Sequence, residues 1–128
     1  MIVVDASALL AIYLSEAERE IFRGKLRAAS VTWMSPVNFW EVLVRAAALD
    51  GPSGSLEIEN LVANFGIQIE PIDQATTRLA AEAFARYGKR TRAGLNLGDC
   101  FAYALAKQRG APLLYKGDDF AKTDIAAA

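Results

Sequence analysis

Short apolar runs alternate with longer helix-patterned stretches along the whole chain, and that alternation leaves few folds open. Ile2-Val3-Val4, residues 31–34, the alternating Ile67, Ile69 and Ile72, and Leu113-Leu114-Tyr115 each read as a strand. Between them lie helical segments with recognisable ends. Residues 8–14 are in helical register. Residues 15–29 form an amphipathic helix, with Ser15 as N-cap and Glu18 completing a capping box. Ser35-Pro36 opens a helix that runs to about Leu49. Gly51-Pro52-Ser53-Gly54 is a break, followed by a helix from Leu56 to a stop at Gly66. Asp73 caps a helix over 74–87, residues 88–94 form a basic loop, and Gly110 ends a helix over 98–109. Parallel strands need long crossovers, so this order predicts an α/β fold with a mainly parallel sheet covered by helices on both faces. The Ala126-Ala127-Ala128 tail is expected to fray.

A chain of 128 residues fits one domain, 1–128, with a proper core. Hydrophobic residues make up 53% and charged residues 23%, which excludes a disordered chain. No apolar run approaches the roughly 20 residues of a membrane span. The apolar start is cut by Asp5 with no basic residue before it, so no signal peptide is expected. Cys100 is the lone cysteine and has no disulfide partner in the chain, which points to the cytoplasm.

The chain has no histidine. That removes histidine general bases, serine–histidine triads and the commonest zinc ligand. Chemistry must rest on carboxylates, on other oxygen and amine groups, or on a hard metal held by oxygen. Sites in open α/β sheets form outside the carboxyl ends of the strands. Asp5 follows the first strand, and Asp118 and Asp119 follow the last. Asp5 also suits a helix N-cap. Glu41 lies among apolar neighbours on a stripe with Asn38 and Arg45, where a Glu41–Arg45 surface pair is the plainer alternative. Asp99 opens a helix that is apolar nearly all round, with Asn96 placed to share a capping box with it. Four carboxylates gathered at one edge repel each other unless they bind a proton or a cation. All-oxygen ligands select Mg²⁺ or Mn²⁺, and such a site is suited to phosphodiester hydrolysis.

Four segments carry a resemblance that spans the chain. They are residues 2–9 around Asp5, residues 35–42 from Ser35-Pro36 to Glu41-Val42, residues 94–100 around Asp99, and residues 113–120 around Asp118-Asp119. Their order and spacing resemble the PIN-domain proteins, and among them the VapC-type toxins of bacterial toxin–antitoxin pairs. The resemblance implies a PIN-like three-layer sandwich and an acidic quartet that binds Mg²⁺ or Mn²⁺ and cleaves RNA. The matching positions are Asp5, Glu41, Asp99 and Asp118 as catalytic acids, with Asp5 and Asp99 as metal ligands, Ser7 supporting by hydrogen bonding, and Asp119 as the alternative to Asp118. A small antitoxin partner, with a tail reaching the acidic groove, and a homodimer are also implied.

The net charge of −1 suits an RNA-binding chain only if its cations are gathered on one face. Lys89, Arg90 and Arg92 precede Asp99, Arg86 lies one turn earlier, and Lys116 adjoins Asp118. These five are the candidate phosphate contacts. Trp33, Trp40 and Tyr103 sit within apolar runs and are expected in the core. Two other phosphoryl chemistries fit less well. A haloacid-dehalogenase-type phosphatase wants a second acid two residues after the first, where this chain has Ser7, and a receiver domain would have to use Asp73. A catalytically inactive PIN-like binding module is the alternative outside enzymology.

Overall fold

The computed structural model describes Met1–Ala128. In chain order it contains β1 (Ile2–Val4), α1 (Ala6–Tyr13), α2 (Arg19–Ala28), β2 (Thr32–Met34), α3 (Pro36–Asp50), α4 (Pro52–Asn64) and β3 (Ile67–Ile69). These are followed by α5 (Gln74–Tyr87), α6 (Leu97–Arg109), β4 (Leu113–Leu114) and a 3₁₀ turn at Phe120–Lys122. The four strands form one parallel sheet in the order β3-β2-β1-β4. Ile2 lies opposite Thr32, and Val3 is flanked by Trp33 on one side and Leu113 on the other.

Alternation along β1 divides the core in two. Ile2 and Val4 pack with residues of α1 to α4, while Val3 packs with residues of α5 and α6. Helices lie on both faces of the sheet, which gives the three layers and explains why β1 and β4, buried on both sides, read as unbroken apolar runs. Val3, Val4, Leu9, Met34, Leu113 and Leu114 are almost wholly excluded from water, each contributing about 1.5–3 kcal/mol relative to exposure. No helix is long and apolar enough to cross a membrane.

Several boundaries differ from those expected. The helix over 15–29 begins only at Arg19, and Glu18 occupies the N-cap position without a side-chain cap bond. Ser15 has a positive φ of 54°, and Glu16 and Glu18 bind Lys116 instead of a helix end. The break after Leu49 shrinks to Gly51, which ends α3 and starts α4. Pro52 takes the first helical turn, where its missing N–H costs nothing. A side chain on Gly54 would strike the Ala46 backbone, so the two helices are held close there. β3 stops at Ile69, before Ile72. The alanine tail is ordered: Ala127 bridges Leu113, the Ala128 N–H donates to the Leu113 carbonyl at 2.9 Å, and Lys25 donates to the Ala128 carbonyl at 2.6 Å. It covers the edge of β4 that would otherwise be unpaired.

The chain steps from β1 to β2 to β3 in one direction, then crosses back to place β4 on the far side of β1. The carboxyl ends of β1 and β4 therefore border a crevice where the winding reverses, which is where open α/β sheets form their sites.

Candidate active site

Asp5 leaves β1 at that crevice and is 3% exposed. Its backbone N–H is held by the Leu114 carbonyl at 2.9 Å, so the residue is fixed to β4 before its side chain is considered. Carboxylate Oδ2 accepts from the Ser7 backbone N–H at 3.0 Å and from Ser7 Oγ at 2.6 Å. Asp5 is thus the N-cap of α1. The other oxygen, Oδ1, is buried and has no hydrogen-bond partner. Burial lifts the Asp5 carboxyl to about 7 against the pull of both Ser7 bonds, and Asp99 and Glu41 push it in the same direction.

Ser7 has a second tie. Its hydroxyl accepts from the Lys116 backbone N–H at 3.0 Å, joining the loop after β4 to the start of α1.

Glu41 comes from α3, whose start is fixed by Ser35 capping the Val37 N–H at 3.2 Å and by Pro36 in the first turn. Asn38, one turn before Glu41, is fully buried. Its amide nitrogen donates to Glu41 Oε1 at 2.9 Å and to the Gly98 carbonyl at 3.0 Å. One side chain thereby ties the Glu41 carboxylate to the first turn of α6. Any side chain at Gly98 would run into that carboxylate. Asn38 and Gly98, which sequence reasoning passed over, are the positions that fix where the Glu41 carboxylate lies. The only prior sign of Asn38 was its place on the Glu41 stripe, and Gly98 read simply as a helix start. Burial raises the Glu41 carboxyl, Asn38 opposes this, Asp99 adds to it and Arg45 lowers it. Arg45 forms no ion pair, so the surface-pair alternative does not hold.

Asp99 sits in the first turn of α6. Its N–H donates to Asn96 Oδ1 at 2.8 Å and its Oδ2 accepts from the Asn96 N–H at 3.0 Å, a reciprocal capping box. Capping occupies only Oδ2 and does not exclude a second role for the other oxygen. Burial raises the Asp99 carboxyl, the Asn96 bond opposes this, Asp119 raises it further and Lys89 lowers it. Asp5, Glu41 and Asp99 therefore feel one another's charge at a single crevice. Asp118 and Asp119, both exposed, follow β4, and of the two Asp119 raises the Asp99 carboxyl. No three of these carboxylates converge on one point.

The candidate RNA-contacting cations separate into two groups. Lys89, Arg90 and Arg92 are exposed and form no ion pair, with Lys89 close enough to act on Asp99. Arg86 and Lys116, in contrast, have acidic partners within the chain. Arg86 lies 3.9 Å from Asp124 and over the Tyr87 ring, in a cluster with Lys107. The Lys116 ammonium is held 2.7 Å from Glu16 and 3.3 Å from Glu18. The aromatic expectation also needs a correction. Tyr103 is buried and Trp33 half-buried under Arg109, but Trp40 is 62% exposed on the outer side of α3. An apolar run inside a helix turns through all faces, so it cannot place each member inward.

A parallel sheet wound in this order, with acids from β1, α3, α6 and the loop after β4 at its switch point, defines a class. The family model for the PIN domain matches residues 2–126, and the chain belongs to that family. Within it, the chain falls among the VapC ribonucleases. It is similar to ribonuclease VapC42 of Mycobacterium tuberculosis, with 38% identity over 98% of each chain. Its fold is similar to that of Mycobacterium tuberculosis VapC20, a Sarcin-Ricin loop cleaving toxin, with a TM-score of 0.82 at 15% identity, covering 100% of this chain and 98% of that one. It is also similar to a chain of a toxin–antitoxin complex from Klebsiella pneumoniae, with a TM-score of 0.76 at 18% identity, covering 100% and 97%.

Proposed function

We propose that this chain is a single-domain, Mg²⁺-dependent RNA endonuclease whose site is Asp5, Glu41, Asp99 and one acid of the loop after β4, and that it acts as the toxin of a toxin–antitoxin pair. The observation that carries this reading is the buried, unpartnered Oδ1 of Asp5 at a crevice where Asp99 and Glu41 push its carboxyl up and Asp99 likewise acts on Glu41. Carboxylates so placed are destabilising until a cation or protons neutralise them. Mg²⁺ or Mn²⁺ fits, because a hard ion binds through one or two carboxylates and retains water for its other positions. Asp5 Oδ1 and the uncapped oxygen of Asp99 are the ligands we assign. A bound divalent cation supplies charge neutralisation and water acidification.

The remaining work falls to side chains of this chain. Ser7 keeps Asp5 turned so that Oδ2 is occupied and Oδ1 is free. Asn38 fixes Glu41 by Oε1, which leaves Oε2 to take a proton from the attacking water. Asp119 is favoured over Asp118 as the fourth acid by its action on Asp99. Lys89, Arg90 and Arg92, without acidic partners, are suited to hold the phosphates either side of the cut.

A small antitoxin is the assigned protein partner, and a homodimer the assigned assembly. An arginine-bearing tail would satisfy the acidic crevice with bidentate bonds, while Leu14, 43% exposed, and the half-buried Leu43 offer apolar anchorage. Expression of the chain alone should stop growth, and co-expression with its neighbouring small gene should restore it. Asp5→Ala should make solo expression harmless yet still co-purify with that partner. Unimpaired growth with the wild-type chain alone would favour the inactive binding module.

A further inference from the structure

Trp40 directly precedes the Glu41 that the nuclease reading places in the site, yet its indole faces solvent, 62% exposed. Leu97, which precedes Gly98 and Asp99, is 70% exposed. These are among the most exposed large apolar side chains of the molecule, and both belong to the same hollow. With Val37, Glu41, Asn96 and Gly98 they line a cavity of about 480 Å³ between the first turns of α3 and α6. An apolar hollow that shares a wall with a catalytic acid is unusual, since the ordinary neighbour of a carboxylate cluster is polar. Two cations act on the acids beside it. Arg45, one turn beyond Glu41, and Lys89, beside Asp99, form no ion pairs. The Asn96 amide nitrogen, also at this hollow, donates to no atom of the chain.

A flat aromatic face next to a phosphodiester-cleaving site, whose acids feel two cations that form no ion pair, has the makings of a single-strand nucleic-acid platform. Stacking takes up the face of an unpaired base, and the cations hold its backbone. Resting on the nuclease reading, we infer that Trp40 is a specificity-determining residue: it stacks on the unpaired base adjoining the scissile phosphate, in the open hollow that Leu97 also lines, with a preference for a purine. The larger face of a purine covers more of the indole, and purine edges offer acceptors to the Asn96 amide. The platform favours single-stranded segments, because a base in a duplex must first be unpaired and unstacked, at a cost in free energy, to reach Trp40.

Trp33 and Trp40 are the two tryptophans, so Trp33→Phe leaves Trp40 as the sole indole reporter. In that background, with Asp99→Asn to prevent cleavage and Mg²⁺ present, hexamers of adenylate and of uridylate are titrated while indole fluorescence is followed. Quenching that saturates at lower adenylate than uridylate concentration is the expected result. Trp40→Ala should weaken oligomer binding about tenfold and Trp40→Phe much less. Wild-type cleavage and the solution mass of each variant are measured alongside. Cleavage by the wild type with no fluorescence response and unchanged affinity in Trp40→Ala overturns the platform and leaves the nuclease reading intact. A mass halved in Trp40→Ala with unchanged affinity overturns it too, in favour of a face between two copies. Wild-type protein that cleaves nothing removes the nuclease reading and the platform with it.

Discussion

The buried carboxylate of Asp5 sets the chemistry at the smallest scale. An ordinary aspartate loses its proton near 4, whereas folded Asp5 holds its proton up to about 7. Between those values the folded state binds more protons than the unfolded state, so stability falls as pH rises through the window, and the full cost is present above 7. An asparagine carries no such cost. Asp5→Asn should therefore melt higher than the metal-free wild type at pH 8, by about 1–3 kcal/mol in stability once its weaker bonding to Ser7 is counted. The gap should close as pH approaches 4. Adding Mg²⁺ should narrow the gap at pH 8 by stabilising only the wild type. Thermal unfolding at three pH values checks both halves; a gap independent of pH would show that burial does not raise this carboxyl. Asp5 was readable as a site candidate because it follows a strand, and as a cap because an acid suits a helix N-terminus. The cap is present on Oδ2, and Oδ1 is left without a partner. The roles of Asn38 and Gly98 were not readable, because each depends on a contact between α3 and α6 that lies some sixty positions apart in the chain.

Helices and strands were legible where their signals were local. Ser35-Pro36, Asp73 and the Asn96–Asp99 pair start helices as their side chains dictate, and Gly110, in the left-handed conformation, stops α6. The signals failed where a distant partner competed. Ser15 and Glu18 have the spacing of a capping box, but Lys116 draws Glu16 and Glu18 away from that role. Gly54 looked like part of a loop, yet it lies inside α4 because Ala46 passes against it. Two glycine substitutions separate packing from function at this scale. Gly54→Ala gains helix propensity but meets backbone that cannot give way, so a net loss of about 1–3 kcal/mol is expected by denaturant unfolding. Gly98→Ala meets the Glu41 carboxylate, a side chain that can move. Its stability should change little while RNA cleavage falls at least tenfold, measured on protein matched for folded fraction. Full activity in Gly98→Ala would detach Glu41 from the reaction.

At the level of the whole molecule, a net charge of −1 obscures a separation of charge that the fold creates. Acids collect at the β1–β4 crevice, and the cations free of ion pairs include Lys89, Arg90 and Arg92 on the loop beside it. Arg86 and Lys116 serve the fold by binding Asp124 and the α1–α2 connection. Replacing Lys89, Arg90 and Arg92 together by alanine should weaken RNA binding and flatten its dependence on salt, since fewer counterions are released. The same replacement at Arg86 should leave the salt slope almost unchanged. A slope unaltered in the triple variant would reduce the loop to a solvated surface. The most direct measurement of the central claim is cleavage of single-stranded RNA by the purified chain in Mg²⁺, in excess EDTA, and with Asp99→Asn in Mg²⁺. Cleavage in the first condition alone, with the variant still folded, is the predicted result; equal cleavage in EDTA, or by Asp99→Asn at the wild-type rate, would contradict it.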